Sequence, residues 1–259
     1  MKKFNPTTNG QRHKIAFEKN QLIKNNKVIK TLLKKYNFCK GRSSQTGHIT
    51  SRYKGSGHKN LYHIMKTTKK EYKAVTVGIL YNSNQNAFIS LNFDLETKKF
   101  FKSINIQGML PGSISQYNKE NIRNITGNST LLKNLPVGSI ISLISKKNKI
   151  CFIKSAGTYG QILEKLENIC KLRLPSGKVI KLPLNSTVTV GTVSNSKYKL
   201  NVFGKAGYNR NKGKGIRPHV RGIAMNPVDH PHGGRTNGGC IPVTPWGIPT
   251  KGKKTVHLK

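Results

Sequence analysis

Asp229, His230 and His232 stand almost adjacent, and a carboxylate beside two imidazoles is a set of groups able to exchange protons near neutral pH. The same stretch holds Pro227, Pro231, Gly233 and Gly234, residues that together restrict and relax the backbone as a tight turn requires. Two readings follow. The loop can carry acid–base chemistry, or it is a shaped turn in which Asp229 pairs with backbone or a nearby arginine while the imidazoles hydrogen-bond or stack on a partner. The turn is favoured. Enzyme chemistry needs a pocket with an acid or nucleophile, and the chain has few carboxylates and no phosphate loop, metal motif or nucleophile elbow. The cysteines, Cys39, Cys151, Cys170 and Cys240, are scattered without a CxxC pair, so neither a disulfide framework nor a local zinc site is expected. No catalytic residue, metal ligand or cofactor is assigned.

The charge balance points to the partner. Lys and Arg number 47 against 8 Asp and Glu, a formal net charge of +39. A chain so charged repels itself, and a polyanion removes that repulsion while releasing condensed counterions. Nucleic acid and an anionic membrane surface both meet this need. No apolar run approaches the roughly 20 residues that span a bilayer, so nucleic acid is expected and a membrane is not.

The elements that must position these groups change along the chain. Residues 1–55 read as a basic extension. Within it, Gln21–Leu33 has part of an apolar helical face weakened by Asn25 and Asn26. GRSSQTGHITSRYKGSGHK, from Gly41, has four glycines and no acid, and is expected to order on its partner. Residues 56–125 then hold three predicted strands, at 74–81, 87–93 and 98–104, separated by turn formers as in a small barrel. Residues 126–196 hold a second β set: strands at 139–145 and 149–154, a hairpin at 171–182 turning at Pro175-Ser176-Gly177, and a last strand at 187–193. For 159–168 helix and strand stay open, because Ile162, Leu163 and Leu166 have helical spacing where a strand is needed. The fold class expected is mostly β. Residues 197–259 are rich in glycine, proline, Lys and Arg, with Asp229 the only acid from Asn168 onward. Such a tail packs poorly on itself but threads between RNA helices, where glycine admits close approach to phosphate and the cations neutralise it.

Candidate RNA contacts follow from these placements. Arg42, Arg52, His58 and Lys59 lie in the N-terminal arm, and Arg173, Lys178 and Lys181 on the hairpin, where solvated surface charge is the competing reading. Lys205, Arg210, Arg217 and Arg221 stand near glycines in the tail, with Asn226, His230, His232 and Lys251 farther along it. Trp246, the only tryptophan, can stack on a base or cover an apolar patch.

The tail segments RPHVRGIAMNPVDHPHGG, from Arg217, and PVTPWGIPTKGKKT, from Pro242, closely resemble the signature of the universal large-subunit ribosomal protein L-two family. KKFNPTTNGQR, LKNLPVGSII, SAGTYGQ, RLPSGK and VFGKAGYNR match it in the same order, so the resemblance spans nearly the whole chain. It implies an OB-fold barrel followed by an SH3-like barrel with basic extensions. It also implies binding to large-subunit rRNA near the peptidyl-transferase centre, beside other ribosomal proteins and small-subunit RNA at the subunit interface, with roles in subunit association and tRNA placement. The histidine loop would approach the catalytic region. Peptide-bond formation can be driven by positioning in RNA, so this does not require a protein base.

The chain departs from the family in places. GGRTNGGC, from Gly233, lacks the acid usual after the histidine loop, Asn211 stands where a tryptophan is usual, and the basic end after KGKKT is reduced to VHLK. Heavy use of Lys, Asn and Ile suggests an AT-rich coding genome, and Met1 leads directly into the family's opening. A ribosome made inside a mitochondrion is the expected location, with a plastid or an AT-rich bacterium as alternatives.

Overall fold

The structure, a computed structural model, describes residues 1–18, 22–23, 30–35, 41–54, 61–65, 71–120, 123–146, 149–205, 207–208, 215–235 and 239–252. Most of the predicted Gln21–Leu33 helix lies outside the described residues, and at its end Leu33 opens a strand.

Short apolar and β-branched runs, broken every few residues by Asn, Gly or Pro, give a chain of strands. β1 (Lys2–Lys3) and β2 (Ile15–Ala16) pair antiparallel, and Ile15 bridges Val202. β3 (Leu33–Lys35) pairs antiparallel with β4 (Leu61–His63). The predicted meander is β5 (Tyr72–Leu80), β6 (Ile89–Asp94) and β7 (Phe100–Ile104). β8 (Ile114–Tyr117) joins the free side of β5. The second set comprises β9 (Ser129–Leu131), β10 (Ile140–Lys146), β11 (Lys149–Phe152), β12 (Gly160–Lys165), β13 (Ile169–Arg173), β14 (Val179–Pro183) and β15 (Thr187–Val190). The order across the sheet is β14-β13-β12-β10-β15-β9-β8-β5-β6-β7, with β11 on β10. Between these named strands every pairing is antiparallel except β8 with β9, a parallel step at Tyr117 and Ser129, and the isolated bridge from Leu22 to Ile79 of β5 is parallel too. The architecture is mostly β, an OB-fold barrel followed by an SH3-like barrel.

The ambiguous stretch at 159–168 is strand β12. Ile162 is fully buried opposite Leu172 of β13, while Leu163 and Leu166 stay exposed, so barrel packing overrides the helical spacing. Alternation also explains the hairpin: Cys170, Leu172 and Leu182 face inward, and Arg173, Lys178 and Lys181 face water.

The two barrels differ inside. Leu132, Leu135, Ile141, Ile144, Ile162, Leu172, Val188 and Val193 make an apolar core for the second, extended by Ile104, Ile106 and Met109 from the first. In the first, Thr76 Oγ1 donates to Asn92 Oδ1 at 3.1 Å, and Asn92 Nδ2 reaches Ser103 Oγ at 2.8 Å and Ser90 Oγ at 3.2 Å, so its strands share a buried polar network. On the other face of β6, Leu80, Ile89 and Leu91 pack beneath Leu32, Leu33 and Met65. Lys102 is buried there, and its Nζ donates to the Leu32 carbonyl at 3.2 Å.

The chain forms two compact units. One contains Met1–Phe38 and His58–Gly213; the other contains Cys39–Gly57 and Lys214–Lys259. The later part of the N-terminal arm and the larger, final part of the C-terminal tail, far apart in sequence, therefore build one unit, while the start of the arm and residues 197–213 of the tail belong with the barrels.

Candidate functional site

Within this second unit the arm is a succession of turns. Ser43 N–H donates to the His48 carbonyl at 2.8 Å, and Thr50 and Ser51 N–H both donate to the Gly41 carbonyl. Ser43 Oγ accepts from the amides of Gln45 and Thr46, and Arg42 Nη1 closes the loop on the Gly47 carbonyl at 3.0 Å. The arm then meets the tail through its backbone: Lys54 bridges Ile216, and Arg217 N–H donates to the Tyr53 carbonyl at 2.8 Å. Tyr53 packs edge-on to His219, with ring centroids 4.7 Å apart. Gly41, Arg42, Ile49, Arg52, Tyr53 and Lys54 line an open depression on this unit. The sequence pointed to Arg52 but not to Tyr53 or Lys54, whose partners lie more than a hundred residues away and leave no local signal.

The histidine loop is a turn built around one ring. Gly222–Ala224 forms a 3-10 turn, after which the Asn226 carbonyl accepts from the amides of Asp229 and His230 at 3.0 and 3.3 Å. Gly233 N–H returns to the His230 carbonyl at 2.8 Å, and Gly234 N–H to that of Met225 at 3.2 Å. A Cβ on Gly233 would lie 2.3 Å from the Asn226 oxygen, and one on Gly222 would lie 2.7 Å from the His230 ring, so both glycines are steric requirements. His230 is 8% exposed. Its Nδ1 accepts the His232 amide hydrogen at 3.0 Å, which assigns the ring proton to Nε2 and occupies the Nδ1 lone pair that a base would use. The carboxylate of Asp229 is exposed and makes no hydrogen bond or ion pair among the described residues. Its place in the turn comes from its backbone.

His232 connects this loop to the next one. Its Nε2 lies 3.2 Å from the Val243 amide nitrogen and 3.1 Å from the Ile241 carbonyl oxygen, accepting from the first or donating to the second according to tautomer. Val243 opens a hairpin that bridges Pro249 and is closed by Thr244 N–H to the Ile248 carbonyl and Thr250 N–H to the Pro242 carbonyl. Trp246 sits at its tip, 72% exposed, with the Arg52 guanidinium carbon 5.3 Å from its ring centroid. Arg217, Arg221, Asn226 and Lys251 are exposed on the same unit.

The remaining candidates belong to the barrel unit or lie beyond description. Arg173 and Lys178 flank the β13–β14 turn, where Leu174 N–H donates to the Lys178 carbonyl at 2.9 Å, and both are exposed. Lys205 is exposed, and its stem runs over Gly10. His58, Lys59 and Arg210 lie outside the described residues.

Electrostatics follow the shortage of acids. Among the described residues one side-chain ion pair is present, Lys171 with Glu164 at 2.6 Å, and no cluster of His, Cys, Asp or Glu could hold a metal ion. Burial pushes the Cys170 thiol up, which keeps it protonated and unreactive. Burial, then the Lys102 charge, lowers the His63 imidazole to about 4, and burial lowers the Lys102 ammonium to about 8. Among the described residues no helix is long and apolar enough to cross a membrane.

Comparison with known proteins gives two family matches. The family described as Ribosomal Proteins L2, RNA binding N-terminal domain, matches residues 29–115, and Ribosomal Proteins L2, C-terminal domain, matches residues 125–247. The break between them falls at the β8–β9 connection. A relative from Ehrlichia canis (strain Jake), named large ribosomal subunit protein uL2, is 40% identical over 263 residues, covering 98% of this chain and 93% of the relative. A protein of the same name from Shewanella oneidensis is 40% identical over 261 residues, with the same coverage of both chains.

Proposed function

The chain belongs to the ribosomal protein L2 family, and from that premise we propose how its parts serve the ribosome. It is a structural constituent of the large ribosomal subunit and binds ribosomal RNA in the company of other ribosomal proteins. The observation that carries this reading is similarity running through 98% of the chain, both halves included, on a polypeptide of net charge +39.

The finer assignment rests on the placement of cations and turns. The arm and tail bind large-subunit rRNA near the peptidyl-transferase centre, meet small-subunit RNA when subunits join and help place tRNA. Arg42, Arg52, Arg217, Arg221 and Lys251 contact phosphates from the loop unit, and Arg173, Lys178 and Lys205 do so from the barrel unit, with His58, Lys59 and Arg210 added to these. Asn226, His230 and His232 hold the loop, together with Pro227, Asp229, Pro231, Gly233 and Gly234, and no protein group enters the chemistry of peptide transfer. Heavy use of Lys, Asn and Ile supports a mitochondrial ribosome as the site of action.

Sedimentation of a lysate on a magnesium-containing gradient, with and without ribonuclease, tests the reading. The protein co-migrates with the large subunit and leaves that position after ribonuclease. A slowly sedimenting pool under both conditions would refute it. His230→Ala impairs subunit assembly or joining more than the rate of peptidyl transfer in the subunits that form; normal assembly with a collapsed transfer rate would overturn the structural role.

A further inference from the structure

We propose that Trp246 is a stacking surface for an unpaired nucleobase of the bound RNA, backed by Arg52, and that His232 is the positioning residue that holds its hairpin in place. The proposal rests on the RNA-binding reading above and adds what kind of RNA feature this site takes.

The indole is the chain's only tryptophan and stands 72% exposed, which forfeits the solvation gain that usually buries this side chain. It is nonetheless held. Thr244 N–H to the Ile248 carbonyl at 2.8 Å, Gly247 N–H to the Thr244 carbonyl at 2.9 Å, and Ile248 N–H to Thr244 Oγ1 at 3.1 Å fix the tip. Thr250 closes the base, its amide and hydroxyl each 2.9 Å from the Pro242 carbonyl oxygen. A rigid, exposed aromatic loses little entropy when a flat partner lands on it.

The chemistry beside it selects the partner. A guanidinium over an indole makes the pair a cation–π platform, and bases stack on such surfaces whatever their identity. Arg42 and Lys54 line the depression next to Arg52 and can take the phosphates flanking a splayed base, whereas a paired base in an A-form helix keeps its faces inside the stack. An apolar protein partner would meet three cations here, and RNA is the better match.

His232 ties the platform to the histidine turn. Its Nε2 meets the Val243 amide at the hairpin base, while its own amide is fixed by His230 Nδ1. Removing the ring frees the hairpin base without touching Trp246.

The sole tryptophan makes the test direct. The full chain is titrated with a labelled single-stranded RNA of about 12 nucleotides and with a duplex of matched phosphate number, reading anisotropy for binding and tryptophan emission for stacking. The single strand quenches Trp246 and shields it from acrylamide; the duplex binds with emission unchanged. Trp246→Ala weakens single-strand binding roughly 5- to 150-fold and leaves duplex binding unaltered. His232→Ala gives the same selective loss, and His232→Gln, whose amide oxygen can accept from Val243, restores much of it. Single-strand binding by anisotropy with unchanged Trp246 emission overturns stacking while RNA binding stands, and equal losses on both RNAs in Trp246→Ala reduce the residue to general structure. Quenching by an added protein in preference to RNA assigns the platform to a protein partner and overturns the proposal. Failure of both RNAs to bind overturns the RNA-binding reading, and the stacking site with it.

Discussion

All the buried apolar side chains among the described residues, from Ala74 through Ile144 to Val193, lie in the barrel unit, whereas the unit of the arm and tail buries the His230 ring and the glycines Gly215 and Gly233. The barrels are held by apolar burial at about 25 cal/mol per Å² and by ladders that close on one another. The loop unit is held by backbone turns, whose hydrogen bonds are each worth about 0.5–1.5 kcal/mol net, and it carries mutually repelling cations. The first kind of order is carried by the chain alone. The second leaves its cations, among the described residues, without partner carboxylates, so on the function proposed above it is the part whose order the RNA anion completes.

The largest test of this contrast is Ile144→Ala. Ile144 is 0% exposed in the apolar core, and its truncation lowers the unfolding free energy by about 2–5 kcal/mol in a denaturant titration. An equal loss from His230→Ala in the RNA-free protein would break the comparison. Next comes Gly233→Ala, which forces the Asn226 carbonyl aside. It opens the turn at a local cost of about 1–3 kcal/mol, seen as faster amide exchange at Gly234 with the main unfolding transition unmoved.

The pH response sharpens the barrel side. In the folded chain His63 titrates at about 4 rather than 6.5, so between those values the unfolded chain holds the extra proton and stability rises with pH. His63→Asn removes about 1–2 kcal/mol of that rise, allowing for solvent screening, in melts taken from about pH 4 to 7. A slope unchanged by the substitution would assign the acid sensitivity to charge repulsion alone. The smallest effect is Glu164→Gln, which breaks an exposed cross-strand pair with Lys171 and costs less than about 1 kcal/mol, a difference that disappears in high salt.

The barrel unit was the more legible of the two because its signals are local. Alternation in Lys171–Leu174 and the Pro-Ser-Gly turn predict the β13–β14 hairpin, and the AVTVGILY and AFISLNF runs predict β5 and β6. β8 and β9, of four and three residues, went unpredicted because runs so short have no period to detect, and their join is a single parallel step. Lys102 was not singled out in a predicted strand because its burial depends on a cover brought by residues 32–35 and 61–65. In the loop unit the sequence singled out the Pro-Gly histidine turn and Trp246, but not what they touch. Arg52 meeting Trp246, and Tyr53 meeting Arg217, join points with no pattern between them.

Assembling the second unit from Cys39–Gly57 and Lys214–Lys259 also sets a schedule. During synthesis the arm emerges about 160 residues before its partner segment begins, an interval of roughly 8 to 30 s at roughly 5–20 residues per second. The strands of both barrels are made within that time. The nascent arm therefore spends the interval with its cations exposed and its own intramolecular partner still unmade, and a segment translated only after both barrels is the one that completes it.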